Sequence, residues 1–118
     1  MAVFHLKYRD TFPVLEAELL NPDDTAHDLT AATSVTLHVK LSATGEVFSR
    51  DMEIYDIEGG IVRYAWDETD WTSGPALVVG RHLMEYEVLG PNGRLSFPNG
   101  GNDILDIKED LGQAMLTT

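Results

Sequence analysis

The stretch from residue 59 to residue 98 constrains the fold of this chain more than any other part of the sequence. Two segments within it, 61–66 and 84–88, carry a large apolar or aromatic side chain at every second position. These side chains are Val62, Tyr64 and Trp66 in the first segment and Met84, Tyr86 and Val88 in the second. Successive side chains point to opposite faces of a strand, so a period of two predicts strands with one buried face. Asn92-Gly93, whose residues tolerate positive φ angles, predicts a hairpin turn after the second segment.

The same alternation continues along most of the chain, in short runs that turn residues separate. It predicts strands over residues 4–9, 13–20, 33–41, 46–50, 51–56, 61–66, 83–89, 94–97 and 104–108. The region 67–80 is less regular, and the stretch 66–73 has room for one helical turn. Short strands with turns roughly every eight to twelve residues are typical of sandwiches and barrels. We therefore predict an all-β fold, an immunoglobulin-like antiparallel β-sandwich of about seven to nine short strands.

The chain has 118 residues, a length that fits one domain with its own buried core. We predict a single immunoglobulin-like β-sandwich domain over residues 1–112. The last residues, 113–118, are predicted to be a short flexible C-terminal tail.

The charge balance restricts the partners of the protein. Twenty Asp and Glu residues stand against eight Lys and Arg, and the net charge is -12. Such a chain repels phosphate groups, so we predict no nucleic-acid partner and no membrane partner. Cysteine is absent, which excludes disulfides and thiolate chemistry and suits a reducing cytosol. The N-terminal residues lack the charged and apolar regions of a signal peptide.

The sequence predicts no catalytic residue, no cofactor and no metal site. It has no phosphate-binding glycine loop and no nucleophile motif, and its four histidines are scattered: His5, His27, His38 and His82. Glu85 and Glu87 share one strand face, but neither a histidine nor a third acid is placed on that face of the strand in the sequence. We interpret them as solvated charges and the protein as a non-enzyme.

The acidic turn at residues 21–28 is the other candidate for ion binding. Its oxygen-bearing side chains are Asn21, Asp23, Asp24 and Asp28, which are ligands that Ca²⁺ accepts. The turn lacks the glycine and the terminal glutamate of a regular calcium loop. We interpret it as a solvated turn.

The order of several short motifs resembles the N-terminal domain family of phage baseplate upper proteins, over about residues 4–112. The matching pieces are Asp10-Thr-Phe-Pro13, Asp28-Leu-Thr-Ala-Ala32, Gly60-Ile-Val-Arg-Tyr-Ala-Trp66, Asp70-Trp71, Gly80, Glu85-Tyr-Glu-Val88, Gly93 with Phe97-Pro-Asn99, Ile104-Leu-Asp-Ile107 and Asp110-Leu-Gly112. Arg9 stands where that family usually has glycine, and the apolar link 72–79 is longer than usual. The resemblance implies an immunoglobulin-like domain of a virion structural protein, assembled in the host cytoplasm.

The resemblance implies a non-catalytic adaptor of the tail, baseplate or fibre region of a tailed phage. Its implied partners are other phage structural proteins, bound in multiple symmetric copies. A capsid decoration or head-fibre domain is an alternative. A host-glycan-binding module is a second alternative, for which Trp71 with Asp67 and Asp70 is the candidate patch.

Four apolar residues are the predicted partner contacts: Leu77, Val78, Val79 and Trp71. The first three lie consecutively between a proline and a glycine, and such a run is a liability when it is exposed and uncovered. The alternative is that this run packs onto the core of the sandwich. The sheet edges offered by the N-terminal strand and the C-terminal tail are further candidates, because an edge can accept a strand from a neighbour.

Overall fold

The computed structural model describes residues 2–98 and 100–111. In this part of the chain, nine strands and one helical turn follow the predicted order. Their bounds are β1 Val3–Lys7, β2 Leu15–Glu18, β3 Ser34–Lys40, β4 Val47–Asp51, β5 Glu53–Asp56, β6 Ile61–Tyr64, α1 Thr69–Thr72, β7 Gly80–Gly90, β8 Gly93–Phe97 and β9 Asp103–Lys108. The predicted tail, 113–118, lies outside the described residues.

The larger of two sheets contains six strands, in the order β1-β9-β7-β3-β4, with β8 also paired to β7. Strand β7 is the longest because it has neighbours along its whole length. Residues 83–89 of β7 pair with β3 on one side. On the other side, β9 pairs with residues 80–84 and β8 with residues 86–90.

The smaller sheet contains three antiparallel strands, in the order β2-β6-β5. In immunoglobulin nomenclature, β2, β6 and β5 correspond to strands B, E and D. In the larger sheet, β3, β4 and β7 correspond to strands C, C′ and F, and β8 and β9 together correspond to strand G. This arrangement confirms the predicted all-β sandwich. One pairing differs from the antiparallel prediction, because β1 runs parallel to β9 from Val3↔Ile104 to Lys7↔Lys108. Alternation within a strand is the same for both directions, so the sequence pattern does not distinguish them.

The core lies between the two sheets and is formed by the alternating residues that the sequence indicates. Leu37 and Val39 of β3, Met84 and Tyr86 of β7 and Val62 of β6 are all buried. The helical turn α1 adds Trp71, which packs edge-on against Tyr8 with 5.3 Å between ring centroids. The remaining buried apolar side chains come from every strand except β5 and β6 and from the connections: Leu6, Leu15, Leu19, Leu29, Val35, Leu41, Phe48, Met52, Trp66, Leu77, Val88, Phe97, Leu105 and Ile107.

Gly60 and Arg9 both have left-handed φ angles, which favour glycine. Gly60 has a φ of 66°, and a Cβ added there would lie 2.6 Å from the carbonyl oxygen of His27 and 2.9 Å from that of Leu19. Arg9, which follows β1, has a φ of 71° although it is not glycine. Only a glycine fits at residue 60, whereas residue 9 carries a side chain at a conformational cost.

Candidate protein-binding face

The outer face of the larger sheet carries a row of side chains that crosses five strands. Val3 of β1 is paired with Ile104 of β9, and Ile104 is paired with Leu83 of β7. Leu83 is then paired with Lys40 of β3, and Lys40 with Val47 of β4. Strands lie about 4.8 Å apart, so this row, called here the apolar row, extends about 19 Å across the sheet.

The apolar row is open to solvent. Val3 is 40% exposed, Leu83 42% and Val47 51%. A shallow cavity of about 330 Å³ lies along the row, and Lys40, Val47 and Leu83 are among its lining residues. Directly paired side chains on one face of a sheet contact each other, so these residues form a continuous strip that includes the aliphatic stem of Lys40. A strip of this kind is more typical of a contact surface than are single exposed apolar residues.

Cationic side chains cover the end of the face beyond the apolar row. Arg81 of β7 is paired with Asp106 of β9, and Lys108 is the next residue of β9 on this face. Lys7 of β1 is paired with Lys108. Together with Lys40, these four cations and one acid form a region that we call the basic patch, and its net charge is +3 with histidine neutral.

The basic patch contrasts with the chain as a whole. It holds half of the eight Lys and Arg residues of a chain whose net charge is -12. Its acid, Asp106, is already paired, with 3.1 Å between its carboxylate and Nδ1 of His5 and 3.9 Å to Nζ of Lys108. Lys7, Lys40 and Arg81 take part in none of the ion pairs among residues 2–98 and 100–111, so their charges face solvent.

The far half of the same face is mixed in charge. Glu87 lies 3.4 Å from Nε2 of His38 and 3.2 Å from a guanidinium nitrogen of Arg94. Glu85 is paired with His38 in the β3–β7 register. The fold therefore places a histidine between the two glutamates, which the sequence alone did not show. No group of three or more metal-ligating side chains is found in the described part of the chain.

The predicted partner contacts divide into two buried and two exposed residues. Leu77 is fully buried and Trp71 is 4% exposed, so both fill the core and neither can contact a partner in the folded chain. This corrects the prediction for these two residues, because α1 and the segment that follows it both pack onto the core of the sandwich. Val78 and Val79 are 41% and 51% exposed, directly before β7, and remain predicted contacts.

A buried histidine fixes the segment that holds Val78 and Val79. Nε2 of His82 lies 2.8 Å from the carbonyl oxygen of Val78, and Nδ1 accepts a hydrogen bond of 3.1 Å from the backbone N–H of Ser42. The ring therefore donates through Nε2 and accepts through Nδ1, as a neutral imidazole does. Both ring nitrogens of His82 are engaged in hydrogen bonds within the fold, so neither nitrogen is available to bind a ligand.

The glycan patch suggested by Trp71, Asp67 and Asp70 is not assembled on the surface. Asp70 is completely buried, and its carboxylate accepts hydrogen bonds from Nε of Arg50 at 3.0 Å and from the Tyr64 hydroxyl at 2.7 Å. It also accepts one from the backbone N–H of Asp67 at 2.9 Å. Burial, and then the bond to Asp70, raise the pKa of Tyr64. The carboxylate ties β4 and β6 to the helical turn and has no capacity left for a sugar hydroxyl.

The acidic turn satisfies its own oxygen atoms. Asp23 accepts a hydrogen bond from the Thr25 hydroxyl at 2.6 Å, and Asp28 accepts one from the Thr30 hydroxyl at 2.5 Å and one from the Thr30 backbone N–H at 2.8 Å. These bonds lower the pKa of both carboxyl groups. The side chain of Asn21 contacts His27, with 2.8 Å between Oδ1 and Nδ1. The geometry is that of local turns, in which carboxylates bond their own backbone.

Comparison with known proteins adds little to this picture. No protein-family model matches the sequence, and no curated protein matches it. Among solved structures, the chain is similar to CopC from Methylosinus trichosporium OB3b, with 11% sequence identity and a TM-score of 0.48. The likeness covers 92% of this chain and 86% of CopC. A similarity at this level carries no conclusion about function.

The described residues contain no helix that is long and apolar enough to span a membrane.

Proposed function

We propose that this protein is a non-catalytic assembly module that binds other proteins through the outer face of its larger sheet. The observation that carries the proposal is the apolar row, which crosses five strands in direct register and is rimmed by charged side chains. An apolar centre with a polar, charged rim is the usual anatomy of a protein interface. The buried carboxylate and the buried imidazole are both occupied by structural hydrogen bonds, which supports a role without chemistry.

The assembly that we propose is the virion of a tailed phage, in its tail, baseplate or fibre region. The support is the resemblance of residues 4–112 to the N-terminal domains of baseplate upper proteins. Repeated copies in a virion raise the effective concentration of each face, so a modest interface is sufficient. A position on the head, as a decoration or head-fibre domain, is the alternative that uses the same face.

Mass spectrometry of purified particles tests the proposal, with heads and tails separated before digestion. We expect the chain in tails at a fixed copy number per particle. Its presence only in heads would favour the decoration alternative, and its absence from both fractions would refute a virion role.

A matched pair of substitutions tests the face itself. Leu83 and Leu89 are both on the outer face of β7, and are 42% and 45% exposed, but only Leu83 belongs to the apolar row. Incorporation of the chain into particles is expected to fall about tenfold or more for Leu83→Ser and to change little for Leu89→Ser. Circular dichroism of each variant confirms that it is folded. Equal incorporation of the two variants would exclude the apolar row as the binding surface.

A further inference from the structure

The outer face of the smaller sheet is acidic. Arg63 of β6 is paired with Glu16 of β2 on one side and with Glu53 of β5 on the other. The next pair of neighbours, Glu18 and Asp56, flanks Ile61. Four acids and one cation give this region, called here the acidic face, a net charge of -3.

The acidic face also has an apolar and aromatic centre. The ring of Tyr55 is 54% exposed and lies under the guanidinium of Arg63, with 3.4 Å between Cζ and the ring centroid. Nε of Arg63 is 2.8 Å from Glu16, so the only cation of the acidic face is already engaged. Glu18 and Glu53 take part in none of the ion pairs among the described residues and remain free to meet a cation.

We propose that the basic patch of one copy of this chain binds the acidic face of a second copy. The two regions have opposite net charges of +3 and -3. Apolar side chains lie beside the charges in both: the apolar row next to the basic patch, and Ile61 and Tyr55 within the acidic face. Opposite charge steers two surfaces together and selects their register, while these apolar side chains supply buried area. The inference rests on the proposed function, since it identifies one partner of the same face.

The proposed contact joins two different surfaces, so it is heterologous. A pairing of like faces would bring +3 against +3 or -3 against -3, which repulsion disfavours. After pairing, one copy keeps a free acidic face and the other keeps a free basic patch, so further copies can add. A heterologous contact of this kind generates a ring when it closes and a filament when it does not.

The interface is limited by the width of the smaller sheet. Three strands span about 10 Å between the outer two, so the contact belongs to the small class of interfaces. We therefore expect reversible association that depends on concentration and salt. Sedimentation velocity of the purified full chain at low salt should show species larger than a dimer as concentration rises. The association should be lost in about 1 M salt, where the screening length falls to about 3 Å.

Charge-reversal variants test which faces meet. The first variant, Lys40→Glu with Arg81→Glu, changes the basic patch from +3 to -1. The second, Glu18→Lys with Glu53→Lys, changes the acidic face from -3 to +1. Each variant alone should associate about tenfold or more weakly than the wild type. An equimolar mixture should regain association, because the unreversed acidic face of the first variant (-3) then meets the unreversed basic patch of the second (+3), and the two reversed faces (-1 and +1) also carry opposite signs.

Control variants make the same change in net charge at residues outside the basic patch and the acidic face. Arg9→Glu with Arg94→Glu is the control for the first variant, and Glu46→Lys with Glu58→Lys is the control for the second. Both controls should associate like the wild type, and circular dichroism and a thermal melt establish that all variants are folded. Loss of association in the controls, or no recovery in the mixture, would overturn the proposal.

Other results would overturn it as well. If the wild-type chain stays monomeric at every concentration, the basic patch does not bind the acidic face. If association stops at a dimer, the two copies use a two-fold contact between identical surfaces instead. Binding of poly-glutamate by a monomeric wild type would show that the basic patch takes a different acidic chain. None of these results contradicts the proposed function, which incorporation into particles tests separately.

Discussion

Arg50 on β4 and Asp70 on α1 form an ion pair of 3.0 Å in which the carboxylate is completely buried and the guanidinium is partly exposed. Tyr64 and the backbone of Asp67 bind the same carboxylate. A buried charge is tolerated when its partner and its hydrogen bonds are all present. This pair therefore holds the helical turn, and with it Trp71, against the sandwich.

Removing this carboxylate is expected to destabilise the fold strongly. Asp70→Ala leaves the Tyr64 hydroxyl and the Arg50 guanidinium without their acceptor, and should lower the free energy of unfolding by about 3 kcal/mol. Urea unfolding measures the difference. The control is the exposed ion pair of Arg63 and Glu16, where Glu16→Ala should cost less than about 1 kcal/mol. Similar losses at the two sites would contradict the assigned role of burial.

A methyl group at Gly60 should be poorly tolerated. Gly60→Ala combines a left-handed φ angle with a clash against two backbone carbonyl oxygens, so we expect a loss of about 3 kcal/mol or more. Gly45 has a similar φ of 77° but no atom within 4 Å of an added Cβ. Gly45→Ala isolates the conformational cost and should lose only about 1 kcal/mol. Thermal melts of the two variants should therefore be well separated, and overlapping melts would show that the clash relaxes.

Arg9 is a position where a substitution should stabilise the protein. Its side chain is held at a φ of 71°, so Arg9→Gly should raise the free energy of unfolding by about 0.5 kcal/mol or more. Asp24 also has a positive φ, of 66°, but aspartate tolerates this region better. Asp24→Gly should therefore give a smaller gain. Urea midpoints compare the two, and a destabilised Arg9→Gly variant would count against the strain at this residue.

Two tyrosines should make the fold sensitive to alkali. Burial raises the pKa of Tyr64 and Tyr86, with further contributions from the negative charges of Asp70 and Asp103 respectively. An unfolded tyrosine ionises near pH 10, so the unfolded state loses these protons first as pH rises. Their contribution to stability is complete below about pH 10 and declines above it.

Tyr86→Phe should weaken this alkaline loss of stability, and Tyr8→Phe serves as a comparison. The measurement is the urea midpoint as a function of pH, with ultraviolet absorbance following phenolate formation. Complete phenolate formation in a protein whose strand signal in circular dichroism is unchanged would contradict the prediction.

The order and type of the elements could be predicted from the sequence. Each predicted strand overlaps an observed one, and the helical turn falls within residues 66–73, because alternation and turn residues are local signals. Strand ends were less well predicted. The predicted strand begins at residue 83, whereas β7 begins at Gly80, since pairing with β9 extends that strand towards its N-terminal end.

The candidate site could not be predicted because it depends on which strands are neighbours. Val47 and Leu83 each lie on the face of their strand that otherwise carries polar residues. In the sequence, each therefore looks like an isolated exception to the alternation. Only the order β1-β9-β7-β3-β4 brings such exceptions from several strands into one row. Trp71 and Leu77 were predicted to be exposed contacts but are buried. Both lie outside the strands, so no alternating pattern indicates their burial, which depends on tertiary packing.

The parallel pairing of β1 and β9 has a mechanical consequence. Val3 and Ile104 start their strands side by side, so the entry to β1 and the exit from β9 lie at opposite ends of the pair. Tension between those two points loads the strand pair in shear, so that all of the hydrogen bonds between β1 and β9 are strained together. The strands are not peeled apart, which would break these hydrogen bonds one at a time. The sandwich is therefore arranged to transmit a pulling force along its length without opening.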